Sequence, residues 1–129
     1  MADLMPFDNR CGWIWFDGHM VPWADAKIHV LTHGLHYASS VFEGERAYNG
    51  HVFKLQAHTE RLFYSAEALE LKVDFSVEQI NQATRDVLAK NNLTDAYVRP
   101  LVWRGSDQMG VGASAARSHI MMATPKLQS

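Results

Sequence analysis

Trp13-Ile14-Trp15-Phe16-Asp17-Gly18-His19-Met20-Val21 places two apolar-aromatic runs on either side of an Asp-Gly pair. That pair favours a type I′ turn, which needs positive φ at both central residues, so the stretch reads as a two-stranded hairpin. The pattern recurs as Arg46-Ala47-Tyr48, Asn49-Gly50, His51-Val52-Phe53. Two such hairpins close together argue for an antiparallel sheet.

Outward from the hairpins the period changes. Leu55, Leu62, Ala66, Leu69 and Val73 fall at mostly helical spacing, predicting a helix over about 56–70. Ser76 and Gln79 form an S-x-x-Q capping box that opens a second helix. Ile80, Ala83, Val87 and Leu88 are its apolar stripe, and Asn91-Asn92 ends it. Ala96 to Trp103 reads as a strand, with Pro100 expected at an edge or a bulge because proline cannot donate to the ladder. A loop over 104–117 leads to a last strand, Ser118 to Ala123. Strands, two helices, then strands give an α+β domain: an antiparallel-rich sheet with two helices packed on it.

The chain has 129 residues, about one domain. Its net charge of -2 excludes a strongly basic nucleic-acid binder. A single cysteine, Cys11, excludes an internal disulfide framework. No apolar run approaches the roughly 18–20 residues that span a bilayer. The start, Met1 to Pro6, lacks the basic and apolar blocks of a secretory signal. A cytoplasmic protein without membrane or nucleic-acid partners is expected, with residues 1–12 as a loose arm and one domain over 13–129.

The most unusual segment runs from Leu35 to Tyr48. Read as a strand from Val41, it puts Phe42, Gly44, Arg46 and Tyr48 on one face and Val41, Glu43, Glu45 and Ala47 on the other. An aromatic wall, a position without a side chain and a guanidinium suit a small ligand; an ordinary hairpin strand has the same pattern. Tyr97, Arg99, Leu101 and Trp103 share a face of the later strand, where Tyr97 and Arg99 can grip a carboxylate; a tyrosine beside a surface arginine across from a glutamate has the same pattern. His58 and Arg61 share a helix face near its positive end, so Arg61 can hold a phosphate or simply pair with Glu60. His29, His33 and His36 have the spacing of ligands on one helical face, yet no matching carboxylate, which favours hydrogen bonding over metal. Gly105 to Gly112 lacks the Lys-Ser/Thr ending of a phosphate loop and reads as a plain loop.

Trp15-Phe16-Asp17-Gly18 with Val21-Pro22-Trp23, the block His36 to Arg46, His58-Thr59-Glu60-Arg61-Leu62 and Tyr97-Val98-Arg99-Pro100-Leu101 together resemble the N-terminal domain of branched-chain amino-acid aminotransferases. The resemblance covers about residues 13–124 and implies the fold-type IV architecture, pyridoxal 5′-phosphate as cofactor, and a homodimer or higher oligomer. It implies that Arg61 holds the cofactor phosphate and that Phe42, Gly44 and Arg46 line or adjoin the substrate pocket. Tyr97 and Arg99 would receive substrate carboxylates, with Arg99 taking the distal carboxylate of glutamate. Tyr37 and Val111 would reach the pocket of the neighbouring subunit. The substrates implied are the branched-chain amino acids, glutamate and their 2-oxo acids.

The family's Schiff-base lysine belongs to a C-terminal domain, and Lys27, Lys54, Lys72, Lys90 and Lys126 do not match it. These 129 residues alone are therefore expected to be inactive, with weak cofactor binding or none. Alternatives are a D-amino-acid aminotransferase, an aminodeoxychorismate lyase, or a non-catalytic binding or assembly module.

Overall fold

A computed structural model describes residues 6–113 and 115–126. Strands β1 (Trp13–Phe16) and β2 (His19–Pro22) form the first hairpin, and both turn residues, Asp17 and Gly18, have positive φ. A 3₁₀ turn (Trp23–Asp25) and a short helix α1 (His33–Tyr37) follow. Strands β3 (Ser40–Phe42), β4 (Glu45–Tyr48) and β5 (His51–Val52) come next, with Asn49 and Gly50 again at positive φ. Helices α2 (Leu55–Ala68) and α3 (Val77–Lys90) precede the long strand β6 (Ala96–Arg104) and the last strand β7 (Ser118–Ala123).

All seven strands join one antiparallel sheet in the order β2-β1-β7-β6-β4-β5, with β3 also on β6. Helices α2 and α3 cover one face. Leu62, Ala66, Ile80, Ala83 and Val87 pack there against Trp15, Val102, Ile120 and Met122. The Ser76–Gln79 capping box opens α3 with both of its hydrogen bonds made. Between the helices, Thr59 Oγ1 donates to Asn81 Oδ1 at 2.6 Å and Asn81 Nδ2 donates to Gln56 Oε1 at 2.8 Å, so these buried polar groups are satisfied.

The opposite face is covered only in part. Trp23 of the 3₁₀ turn packs on Ile14 and Ala123. Near α1 a cleft of about 260 Å³ remains, lined among others by Phe16, Leu35, Leu101, Trp103 and Met121. The first residues have no regular structure but are attached: the Trp23 indole N–H donates to Phe7 O, and Arg10 Nη1 donates to Lys126 O at 2.9 Å. Residues 1–5 of the expected arm lie outside the described residues.

Two expectations change. The strand expected from Val41 onward is interrupted: β3 stops at Phe42 and β4 starts at Glu45. Pro100 lies inside the central strand rather than at an edge, opposite Met122 on one side. Its carbonyl accepts from Glu43 N at 3.2 Å, so its own nitrogen faces the interruption between β3 and β4. The missing donor falls where the partner ladder is already broken. His29, His33 and His36 do not share one helical face, because α1 begins only at His33, and the hydrogen-bonding reading of these residues stands.

Candidate functional site

Alternation of side chains continues through the interruption. Phe42, Gly44, Arg46 and Tyr48 are exposed, while Glu43, Glu45 and Ala47 are buried. The register pairs Arg46 with Tyr97 and Phe42 with Leu101, so Tyr97 and Arg99 stand on the same open face as Phe42, Gly44 and Arg46.

The contacts there are close. The Arg99 guanidinium lies 4.1 Å above the Phe42 ring. Its Nε and Nη2 donate to the Tyr97 hydroxyl oxygen at 3.0 and 2.7 Å. The Arg99 fork is therefore folded onto the phenol rather than open. Its Nη1 and the phenol proton remain to meet an anion from above. A Cβ at Gly44 would stand 2.7 Å from the Tyr97 hydroxyl, so only glycine leaves the phenol in this place.

On the helix side of the same interruption, the Glu43 carboxylate holds Arg61. Arg61 Nε and Nη2 donate to its two oxygens at 2.8 Å each, and His58 Nδ1 donates to Oε1 at 2.7 Å. Glu43 is 4% exposed and Arg61 66%, so a buried carboxylate grips an outward-facing guanidinium in a bidentate fork. Burial alone would raise the Glu43 pKa, but the hydrogen bonds and charges of Arg61 and His58 outweigh it and hold the carboxyl below its ordinary value. The same bond raises the pKa of Arg61. With Nε and Nη2 bonded to Glu43, Nη1 of this exposed guanidinium is left for another acceptor. Glu45, one period along, is buried with Oε1 unpartnered among the described residues. Burial, then the charge of Glu43, pushes its pKa up to about 8.

Arg61 thus pairs with Glu43 and not with its helix neighbour Glu60. Glu43 is the functional group that sequence reasoning missed. The available signal was the pattern that placed two carboxylates on a buried face, where a carboxylate needs a cation or a proton.

The two residues expected to reach a neighbouring subunit are both exposed. Tyr37, on α1, is 41% exposed, and Val111, on the loop after β6, is 86% exposed. The three histidines turn to separate partners. His29 Nδ1 accepts from Leu31 N at 3.1 Å, His36 Nε2 donates to Val30 O at 2.8 Å, and His33 bonds Ser39 and Gly110. No cluster of metal-binding side chains occurs among the described residues. No helix among them is long and apolar enough to cross a membrane.

The helix-backed antiparallel sheet agrees with what the comparisons find. The model of the amino-transferase class IV family matches residues 40–128, and the chain belongs to that family. It is 48% identical to a branched-chain-amino-acid aminotransferase of Pseudomonas aeruginosa, over 92% of this chain and 40% of the relative. A probable branched-chain-amino-acid aminotransferase of Rickettsia typhi is likewise 48% identical, over 94% of this chain and 42% of its own length. Among solved structures, the Escherichia coli branched-chain amino acid aminotransferase superposes with a TM-score of 0.86 at 42% identity, covering 92% of this chain and 41% of that one. The T.th. branched-chain amino acid aminotransferase, complexed with N-(5′-phosphopyridoxyl)-L-glutamate, gives 0.83 at 36% identity, over 88% of this chain and 40% of its own. The chain spans about two fifths of the length of the relatives it matches.

Proposed function

We propose that residues 13–129 are the N-terminal, small-domain half of the active site of a branched-chain amino-acid aminotransferase. The whole enzyme would move an amino group between leucine, isoleucine or valine and 2-oxoglutarate. The observation that carries this reading is the two-sided site at the β3–β4 interruption. One side holds the Phe42, Gly44, Tyr97 and Arg99 cluster, and the other the Glu43-clamped Arg61.

The residues fit pyridoxal 5′-phosphate in part. Arg61 supplies one outward guanidinium edge for the phosphate, and the rest of the cradle and the Schiff-base lysine would come from the lysine-bearing second domain. Bound there, the cofactor would supply the carbonyl group that accepts the amino group and the electron sink that makes the α-proton removable. Glu43 would fix the orientation of Arg61 through the bidentate fork. Phe42 walls an apolar space that suits a branched side chain. Arg99 Nη1 and the Tyr97 hydroxyl receive a carboxylate, including the distal one of glutamate. Arg46, on the same face, adds positive charge at the pocket's edge. Tyr37 and Val111 project toward the pocket of a neighbouring copy, which makes the enzyme a homodimer or a higher oligomer. A cytoplasmic setting accompanies this reading.

The test is glutamate formation from L-leucine and 2-oxoglutarate with added cofactor. The full-length enzyme should form glutamate, and the 129 residues alone should not. Activity on D-amino acids without any on L-leucine would replace this reading with the D-amino-acid type.

A further inference from the structure

His33 is 3% exposed, and its imidazole meets three residues: Gly110, Ser39 and Tyr37. Its Nε2 lies 2.7 Å from Gly110 O in the loop after β6. A carbonyl can only accept, so Nε2 carries the hydrogen. Nδ1 is then the acceptor, and it takes the hydroxyl proton of Ser39, 2.5 Å away, at the entry to β3. The ring also stacks on Tyr37, with centroids 4.5 Å apart and planes tilted by 31°. The backbone anchors the same residue independently, because His33 N donates to Gly105 O at 3.0 Å.

Both residues offered to the neighbouring subunit are therefore attached to one ring. Tyr37 is stacked on it, and Val111 immediately follows the glycine that it bonds. We infer that His33 is a positioning residue that fixes Tyr37 and the Met109-Gly110-Val111 loop relative to each other, so the two enter the neighbouring pocket as one unit. This rests on the reading that Tyr37 and Val111 serve that pocket. Val111 and Met109 are 86% and 50% exposed, so little else in this chain holds the loop tip in place. The side-chain bond from His33 supplies that restraint.

The experiment uses the full-length oligomeric enzyme with His33→Phe, His33→Gln, Ser39→Ala and Val111→Ala. Phenylalanine keeps a ring against Tyr37 but loses both hydrogen bonds; glutamine can again donate to Gly110 O. In His33→Phe, hydrogen exchange at the amides of 109–112 should rise about tenfold, the equivalent of one lost hydrogen bond. KM for leucine should rise about as much, with kcat changed less than about threefold. His33→Gln should recover most of both effects. Ser39→Ala, which only frees the tautomer, should shift both in the same direction by less and serves if the phenylalanine variant does not fold. Unchanged loop exchange in His33→Phe and Ser39→Ala overturns the inference. So does faster exchange with unchanged KM while Val111→Ala raises KM. If Val111→Ala also leaves KM unchanged, the neighbouring-pocket reading fails first and takes the positioning role with it.

Discussion

On the helix-covered face of the sheet, Val98, Val102 and Met122 are fully enclosed. On either side of Val98 along the same strand, Tyr97 and Arg99 stand on the opposite face, away from α2 and α3. The same nine-residue strand thus serves a core on one side and a charged, aromatic surface on the other. Period two divides the labour: apolar packing fixes the backbone, and the backbone fixes the groups opposite it. At the interruption the two faces meet, with the Glu43 carboxylate behind and the bare backbone of Gly44 in front.

The sharpest way to break this comparison is to truncate one residue on each face. Leu62→Ala, at 0% exposure, should lower unfolding stability by about 3 kcal/mol. Phe42→Ala, at 55% exposure, should change it by less than about 0.5 kcal/mol. Urea unfolding reads both, and equal losses would mean the open face is structural too. Next in size is Arg99→Ala in the full-length enzyme. It removes charge-assisted bonds from one substrate more than the other, so kcat/KM for glutamate should fall about 100-fold and that for leucine less than tenfold.

A pH series sharpens the buried side. Glu45 is raised to about 8 in the fold against an unfolded value of 4.5. Between those values the folded chain holds a proton that the unfolded chain has released, so stability falls as pH rises from about 4.5 to 8. Glu45→Gln should flatten that decline, gaining about 4 kcal/mol at pH 7.5, at roughly 1.4 kcal/mol per pH unit above 4.5, and nothing measurable at pH 4, read by denaturant midpoints. Glu43 has the opposite sign: its contribution is present above its ordinary carboxylate value and is lost as pH falls through its lowered one. The smallest expected effect belongs to Glu43→Gln, which keeps one oxygen acceptor for Arg61. Cofactor affinity of the full-length enzyme should weaken about tenfold by titration, and stability at pH 7 should fall by about 1 kcal/mol as a charge-assisted pair is lost.

Much of the fold was legible because its signals are local. Asp17-Gly18, Asn49-Gly50 and the Ser76–Gln79 box each specify their own backbone, and the elements follow at the expected places. α1 was not legible, since five residues carry too little periodicity. The position of Pro100 was not legible either, because its tolerance depends on a gap in a strand more than 50 residues away in sequence. In the candidate site, alternation placed Phe42, Gly44 and Arg46 on one face and Tyr97 and Arg99 on another, but not the pairing that merges them. Which roles those residues serve came from resemblance. The clamp of Arg61 by Glu43 joins a strand to a helix, and no spacing within one element can reveal it.

The interruption between β3 and β4 also sets a rule of arithmetic for this chain. Two residues, Glu43 and Gly44, cross the gap, an even number, so the faces before and after it stay in phase. Adding or deleting one residue there would send Arg46 and Tyr48 toward the helices and Ala47 toward solvent, inverting everything downstream to the Asn49-Gly50 turn. Adding two would leave every face as it is. Length variation at this joint is therefore tolerable only in pairs, even though the segment belongs to neither strand.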